Sequence, residues 1–116
     1  MPKNFEVLFS SDAEQDFELI FEFLFESYLV FDQDVDVALH KAEQKTQAIR
    51  LDAEKLAKFP YRGTLNEDLL PGLRNITFGR AIFWFDILKD EQQVRILAIF
   101  FGGQDHQDKM LRKLLS

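Results

Sequence analysis

The sequence predicts an α+β domain in which an antiparallel β-sheet packs against an N-terminal helical hairpin. The stretch Leu73–His106 contains three runs rich in Ile, Phe, Val and Trp, separated by turn residues. Two longer segments before it repeat apolar residues at helical spacing, and a short amphipathic segment follows it. The predicted order is β-α-α-β-β-β-α, in one domain that spans residues 1–116.

The first two elements are a short strand and a long helix. Phe5–Phe9 has β-type residues and is expected to pair with the later strands. Ser11 and Glu14 have the spacing of a capping box, which marks the start of the helix. Its core-facing stripe recurs at helical intervals and comprises Ala13, Phe17, Ile20, Phe21, Leu24 and Tyr28.

Four further apolar residues of this helix lie off the stripe: Leu19, Phe23, Leu29 and Val30. One interpretation is a wide and deeply buried helix face. The other is a surface that another protein covers.

A second helix follows the polar break Phe31–Asp34 and is predicted to run to about Lys58, since Pro60 cannot continue it. Its apolar stripe comprises Val35, Ala38, Leu39, Ala42, Thr46, Ile49 and Leu56. The short joint predicts an antiparallel helical hairpin, which can cover one face of the sheet. The Pro and Gly residues of the segment 60–72 predict a loop.

The three strands of the meander are predicted around the runs Leu73–Phe78, Ala81–Leu88 and Val94–Phe101, with a polar turn at Lys89–Gln92. The last two runs are nearly continuous in apolar residues, which indicates burial on both faces of the sheet. A final helix is predicted over Gln104–Ser116. Asp105 is its expected N-cap, and Met110, Leu111, Leu114 and Leu115 form its apolar side.

The composition excludes several classes of function. The chain has 116 residues, of which 47% are hydrophobic and thirteen are Phe, so a substantial core is available. It has no cysteine, which excludes disulfides, thiolate metal sites and a cysteine nucleophile. No segment is apolar enough for a signal peptide or a membrane span, so we expect a soluble cytoplasmic protein.

The charge distribution argues against direct binding of nucleic acid. The formal net charge is −6, and residues 1–58 carry 13 acidic against 6 basic side chains. Sequence-independent binding to DNA or RNA needs clustered Lys and Arg, and the sequence shows no such cluster. Binding of a basic peptide partner stays open.

No motif for cofactor, metal or nucleophilic chemistry is found, so neither a cofactor nor a metal site is predicted. The sequence contains two histidines, and His40 is expected to be a solvated surface residue. His106 follows Gln104 and Asp105 at the end of the last strand. It could serve as a base held by Asp105, or Asp105 could cap the helix while His106 bonds locally.

Three arginines lie on or beside the predicted strands: Arg74, Arg80 and Arg95. They either pair with acidic neighbours or converge on one face as an anion site. Trp84 and Phe85 are expected to be core or interface residues.

The second half of the sequence resembles the RelE/ParE toxin superfamily. The resemblance lies in Pro71–Arg74, Gly79–Arg80, the strand Ala81–Phe85 and the run Val94–His106, which ends in Gly-Gly-Gln-Asp-His. The sequence looks closer to the ParE, plasmid-stabilisation branch. The resemblance implies the toxin half of a bacterial type II toxin–antitoxin pair, held inactive by a cognate antitoxin. RelE-like members cleave mRNA in the ribosomal A site, and ParE-like members inhibit DNA gyrase.

The RelE activity needs several Lys and Arg and a Tyr in the final segment. Arg74 matches one family arginine and Arg80 matches another loosely, whereas the preceding loop offers Arg62 alone. Met110 and Leu111 stand where a Tyr would be wanted. The resemblance therefore favours a ParE-like gyrase inhibitor, which is not an enzyme in its own right. The alternatives are a ribosome-dependent endoribonuclease and a non-toxic regulator bound by an antitoxin.

The resemblance also suggests which residues carry these functions. Those expected to act in target inhibition are Arg74, Arg80, Gln104, Asp105 and His106. Antitoxin binding is expected at an exposed edge of the meander and at the apolar residues Leu19, Phe23 and Tyr28.

Overall fold

The computed structural model describes residues 4–102 and 106–115, and it confirms the α+β class. The three helices are α1 (Ser11–Asp32), α2 (Val35–Ala53) and α3 (His106–Leu115), and a 3-10 helix (Glu54–Ala57) follows α2. The five strands are β1 (Glu6–Phe9), β2 (Thr64–Leu65), β3 (Arg74–Phe78), β4 (Ala81–Leu88) and β5 (Gln93–Phe101). Strand β2 lies inside the segment 60–72 that was predicted to be only a loop.

The sheet has the strand order β1-β5-β4-β3-β2 and is mixed. Strands β3, β4 and β5 pair antiparallel, which confirms the predicted meander, and the unpredicted β2 also pairs antiparallel with β3. Strand β1 pairs parallel with β5, with Val7 opposite Val94, so the prediction of a wholly antiparallel sheet is wrong at this strand. A parallel pair needs a long crossover between its strands, and here the helical hairpin and the meander lie between them.

The N-cap of helix α1 lies one residue before the predicted one, Ser11. Ser10 is the N-cap, and its Oγ accepts a hydrogen bond of 3.1 Å from the Ala13 amide. The same hydroxyl donates to the carbonyl oxygen of Leu97 at 3.2 Å. The start of α1 is therefore anchored to the middle of β5.

Leu97 is the extra residue of a β-bulge, because Trp84 pairs with Ala98 while Phe85 pairs with Ile96. The bulge shifts the alternation of side chains in β5. Ile96 and Ile99 consequently face the same core cluster, although they are three residues apart.

The sheet is buried on both faces, as the nearly continuous apolar runs predicted. Phe83, Phe85, Val94 and Ile96 pack against the helical hairpin. On the other face, Trp84 and Leu73 are fully buried in a second cluster, which α3 closes with Met110 and Leu114.

The predicted helical hairpin is confirmed. Ion pairs join its helices at both ends, between Arg50 and Glu14 and between Lys41 and Asp32. Asp34 caps α2 by accepting a hydrogen bond of 3.1 Å from the Val37 amide. Helical structure ends near Lys58 as predicted, but its last turn, Glu54–Ala57, is a 3-10 helix and not part of α2. Within residues 4–102 and 106–115, no helix is long and apolar enough to cross a membrane.

The Glu14–Arg50 pair makes the stability of the hairpin depend on pH. Arg50 donates two hydrogen bonds, of 3.1 and 2.6 Å, to the Glu14 carboxylate. These bonds lower the pKa of Glu14 from its ordinary 4.5, against a smaller opposing effect of burial. Because the folded-state pKa is depressed, the stabilisation is present above pH 4.5 and is lost as the pH falls through the folded value.

We expect Glu14→Gln to lower the free energy of unfolding by up to about 1 kcal/mol at pH 7, since the pair is exposed to solvent. Urea unfolding at a series of pH values measures this difference, which should shrink to nothing below the folded-state pKa. A difference that stays constant from neutral to acid pH would contradict the assignment.

Candidate partner-binding site

Arg74, one of the two arginines predicted to act in target inhibition, lies beside Tyr61 and Arg62 of the loop before β3. The Arg74 guanidinium lies 5.6 Å from the Tyr61 ring centroid, and its Nη1 is 3.4 Å from the Arg62 carbonyl oxygen. The guanidinium of Arg62 and the ammonium of Lys55 lie 5.4 and 5.1 Å from the Phe78 ring centroid. We call Lys55, Tyr61, Arg62, Arg74 and Phe78 the cationic–aromatic cluster.

Arg80 is not a neighbour of Arg74. It lies in the turn between β3 and β4, where its guanidinium is 5.3 Å from the Phe101 ring centroid. Its carbonyl accepts a hydrogen bond of 3.0 Å from the Gly102 amide. Because Arg74 begins β3 and Arg80 follows its end, about 13 Å of strand separates their backbones. The structure brings Arg62 and Arg74 together and places Arg80 at the opposite end.

The third arginine pairs with an acidic neighbour, as one of the two alternatives predicted. Arg95 donates to Asp86 across β4 and β5, with Nε 2.9 Å from Oδ1. The bond raises the pKa of Arg95, against a smaller effect of burial. Arg95 is thus held in a structural cross-strand pair.

The terminal site residues are largely beyond structural description. Gln104 and Asp105 lie outside the described residues. The backbone of His106 forms the first residue of α3. The alternatives for its side chain, as a base or as a local hydrogen-bonding group, stay predictions.

The residues predicted to bind an antitoxin divide into two groups. Leu19 and Phe23 are 63% and 56% exposed, so the prediction of a wide buried helix face is wrong for them, and a partner that covers them stays a prediction. Val30 is exposed as well. Tyr28 is half-buried against the hairpin core, with the Lys41 ammonium 5.9 Å from its ring centroid.

Leu19 and Phe23 line a groove between α1 and α3, with a volume of about 420 Å³. The other apolar lining residues are Ile20 of α1 and Ile99, Phe100 and Phe101 of β5. The polar lining residues are Asp16, Lys109, Arg112 and Lys113. We call this site the α1–α3 groove.

Asp16 joins the three elements that form the groove. Its carboxylate is buried and accepts a hydrogen bond of 2.9 Å from the Ile99 amide. It also accepts two bonds, of 3.0 and 2.8 Å, from the Lys113 ammonium. The Asp16 carboxylate therefore links α1 both to β5 and to α3.

The sheet edges match the predicted edge for strand addition only in part. Strand β1 lies at one edge and pairs with β5 alone, and its Leu8 is 37% exposed. At the opposite edge, the two residues of β2 pair with Arg74 and Asn75 of β3. With four residues, β1 is the longer of the two strands at the ends of the sheet order, and it could accept an added strand.

The cationic–aromatic cluster combines Lys and Arg cations with the rings of Tyr61 and Phe78. Among the described residues, no group of three His, Cys, Asp or Glu could hold a metal ion. Cations beside aromatic rings are well suited to binding acidic or aromatic groups.

A mixed sheet with a helical hairpin after its first strand and a short helix after its last is the RelE/ParE-like fold. A chain of the chromosomal ParDE toxin–antitoxin system from P. aeruginosa superposes with a TM-score of 0.62 at 19% identity, covering 85% of this chain and 97% of that chain. A chain of the RelBE2 toxin–antitoxin complex from Mycobacterium tuberculosis gives a TM-score of 0.58 at 16% identity, covering 84% and 98%. No protein-family model and no curated protein matches the sequence.

Proposed function

We propose that this protein is the toxin of a type II toxin–antitoxin pair of the RelE/ParE superfamily. The observation that carries the proposal is the shared fold, which extends over 97% of the ParDE chain and 98% of the RelBE2 chain. The matches cover 85% and 84% of this chain, so they are not limited to one supersecondary unit. The partner would be a cognate antitoxin.

Inhibition of DNA gyrase by binding is the proposed activity. It is supported by the acidic chain, with a net charge of −6, which is poorly suited to entering the ribosome. The residues proposed for target contact are Arg74, Arg80 and the terminal residues Gln104, Asp105 and His106. Because Arg74 and Arg80 lie at opposite ends of β3, they would contact separate parts of a large protein surface.

One observation favours the endoribonuclease as a second candidate. Lys55 and Arg62 lie beside Phe78, and Arg74 lies beside Tyr61 within 3.4 Å of the Arg62 carbonyl oxygen, so several cations that could hold a phosphate belong to one region. Arg80, the third arginine that this activity was expected to use, lies elsewhere. The grouping thus supplies part of the arrangement that the nuclease requires.

Antitoxin binding is proposed at the α1–α3 groove and at the β1 edge. Leu19 and Phe23 expose large apolar side chains that a partner would bury. Tyr28 would lie at the margin of that interface, because its ring is already half-buried beside Lys41. An extended segment of the antitoxin could pair with β1.

Expression of the chain alone in bacteria tests the proposed function. We expect growth arrest together with reduced supercoiling activity of gyrase in the lysate and uncut mRNA. Arg74→Ala and Arg80→Ala should each relieve the arrest, because each removes a proposed contact to the target. Arg95→Ala is the matched control, since its guanidinium is held by Asp86, and it should stay toxic.

The other outcomes identify the alternatives. Growth arrest with mRNA cut only on translating ribosomes would establish the endoribonuclease. Normal growth of cells that contain the folded protein would support the third alternative, a non-toxic regulator bound by an antitoxin.

A further inference from the structure

We infer that the α1–α3 groove binds an amphipathic helix whose apolar face is flanked by Asp and Glu on the side that meets α3. The inference rests on the proposed function, since such a segment would belong to the antitoxin, and it specifies the chemistry of that partner.

The apolar residues at the floor of the groove would fit a helix whose apolar side chains are regularly spaced. Leu19 and Phe23 are four residues apart on α1, so their side chains lie about 6 Å apart along the same face of the helix. Phe23 continues onto the sheet, where its ring centroid is 6.2 Å from that of Phe101. Apolar side chains at positions i and i+4 of a docked helix would match this spacing.

The charged residues that line the groove determine which charge the bound helix should carry beside its apolar face. Lys109, Arg112 and Lys113 line the α3 side, against the single carboxylate of Asp16. The lining thus carries a formal net charge of +2, on a chain whose net charge is −6. Lys109 is exposed at the rim, where it would lie beside the flank of a bound helix. An acidic flank complements this side, whereas a basic flank would be repelled.

A second copy of the chain is a weaker candidate for the occupant. Its helical hairpin is strongly acidic, with 13 Asp and Glu against 6 Lys and Arg over residues 1–58. Two copies, each with a net charge of −6, repel each other at long range, which opposes their association. A short separate segment can present an acidic flank to the α3 side without bringing a second copy of the whole chain.

The test uses two synthetic helical peptides of equal length and equal apolar pattern, with Leu at i and i+4. One carries Glu at the flanking positions and the other carries Lys. Fluorescence anisotropy of the labelled peptides measures binding to the full chain at low salt. We expect the Glu peptide to bind about tenfold more tightly than the Lys peptide, with the preference decreasing as salt rises.

Variants of the protein locate the binding site. Leu19→Asp should weaken binding of the Glu peptide by about tenfold, because it places a like charge on the apolar floor. Lys109→Glu should weaken the Glu peptide several-fold and strengthen the Lys peptide. Leu51→Asp is the matched control: Leu51 is a similarly exposed leucine, 58% against 63% for Leu19, and it lies on α2 outside the groove lining.

Three results would overturn the inference: equal binding of the two peptides, tighter binding of the Lys peptide, or unchanged binding by Leu19→Asp. Self-association of the chain that Leu19→Asp abolishes would also overturn it. The growth assay separates this failure from that of the proposed function. Growth arrest without a preference for the Glu peptide rejects the groove chemistry alone, and the preference without arrest rejects the toxin function alone.

Discussion

Replacing Gly63 by alanine is expected to lower the free energy of unfolding by about 3 kcal/mol or more. Gly63 has a φ of +78°, a conformation that side-chain-bearing residues adopt at a cost. An added Cβ would also overlap the backbone carbonyl oxygen of Asn75 and lie 3.1 Å from Cβ of Ile76. These atoms belong to β3, so the overlap cannot be relieved by rotating a side chain.

Gly72 offers a control for the conformational part of this effect. Its φ is +79°, nearly the same as that of Gly63, but an added Cβ would meet no atom within 4 Å. Gly72→Ala should therefore cost only about 1–2 kcal/mol, the penalty for the left-handed conformation. Chemical denaturation of the two variants measures the difference. Equal destabilisation would show that the close approach of residue 63 to β3 is not what requires glycine.

The same variant tests the cationic–aromatic cluster. Gly63 follows Arg62, whose carbonyl oxygen lies 3.4 Å from Nη1 of Arg74. Displacing this segment from β3 should separate the two residues and remove the pairing of Thr64 with Asn75. Whichever target the protein has, toxicity that depends on the cluster should fall in Gly63→Ala by more than in Gly72→Ala.

The sequence predicted those parts of the fold that repeat a pattern. The helical hairpin follows from stripes of the type Ala13, Phe17, Ile20, and the three long strands follow from apolar runs between polar turns. Strand β2 was not predicted, because its two residues, Thr64 and Leu65, are too few to show the alternation typical of a strand. The parallel direction of β1 depends on how the whole chain closes on itself, which no local pattern records.

Candidate site residues could be predicted where the type of side chain does not suit its position in the helical pattern. Leu19 and Phe23 stood out because they are apolar and lie off the core stripe. The neighbourhood of Arg62 and Arg74 was not predictable, since it depends on the turn at Gly63. The sequence also marks Asp16 as unusual, because an acid lies among the apolar residues Ala13, Phe17 and Ile20 on the buried face of α1. A buried acid at such a position requires a hydrogen-bonding or charged partner.

Removing that acid is the second large effect we expect. Asp16→Ala should lower the free energy of unfolding by about 2–3 kcal/mol, because the buried Ile99 amide loses its acceptor and Lys113 loses its carboxylate. Glu18→Ala, which removes an exposed acid from the same helix, is the matched control and should cost less than about 0.5 kcal/mol. Urea unfolding at pH 7 compares the two. Similar values for both variants would contradict the anchoring role.

Asp16→Asn separates the two interactions of the carboxylate. An asparagine oxygen can still accept the bond from the Ile99 amide, but it offers no charge to Lys113, so the loss should fall to about 1 kcal/mol. Since α3 is attached to α1 through Lys113, both variants should also speed hydrogen exchange in α3 more than in β4. Loosening α3 moves Lys109 away from the floor formed by Leu19 and Phe23. Affinity for the acidic helical peptide should then fall with the protection of α3, and peptide affinity unaffected by Asp16→Ala would mean that the α3 cations take no part in binding.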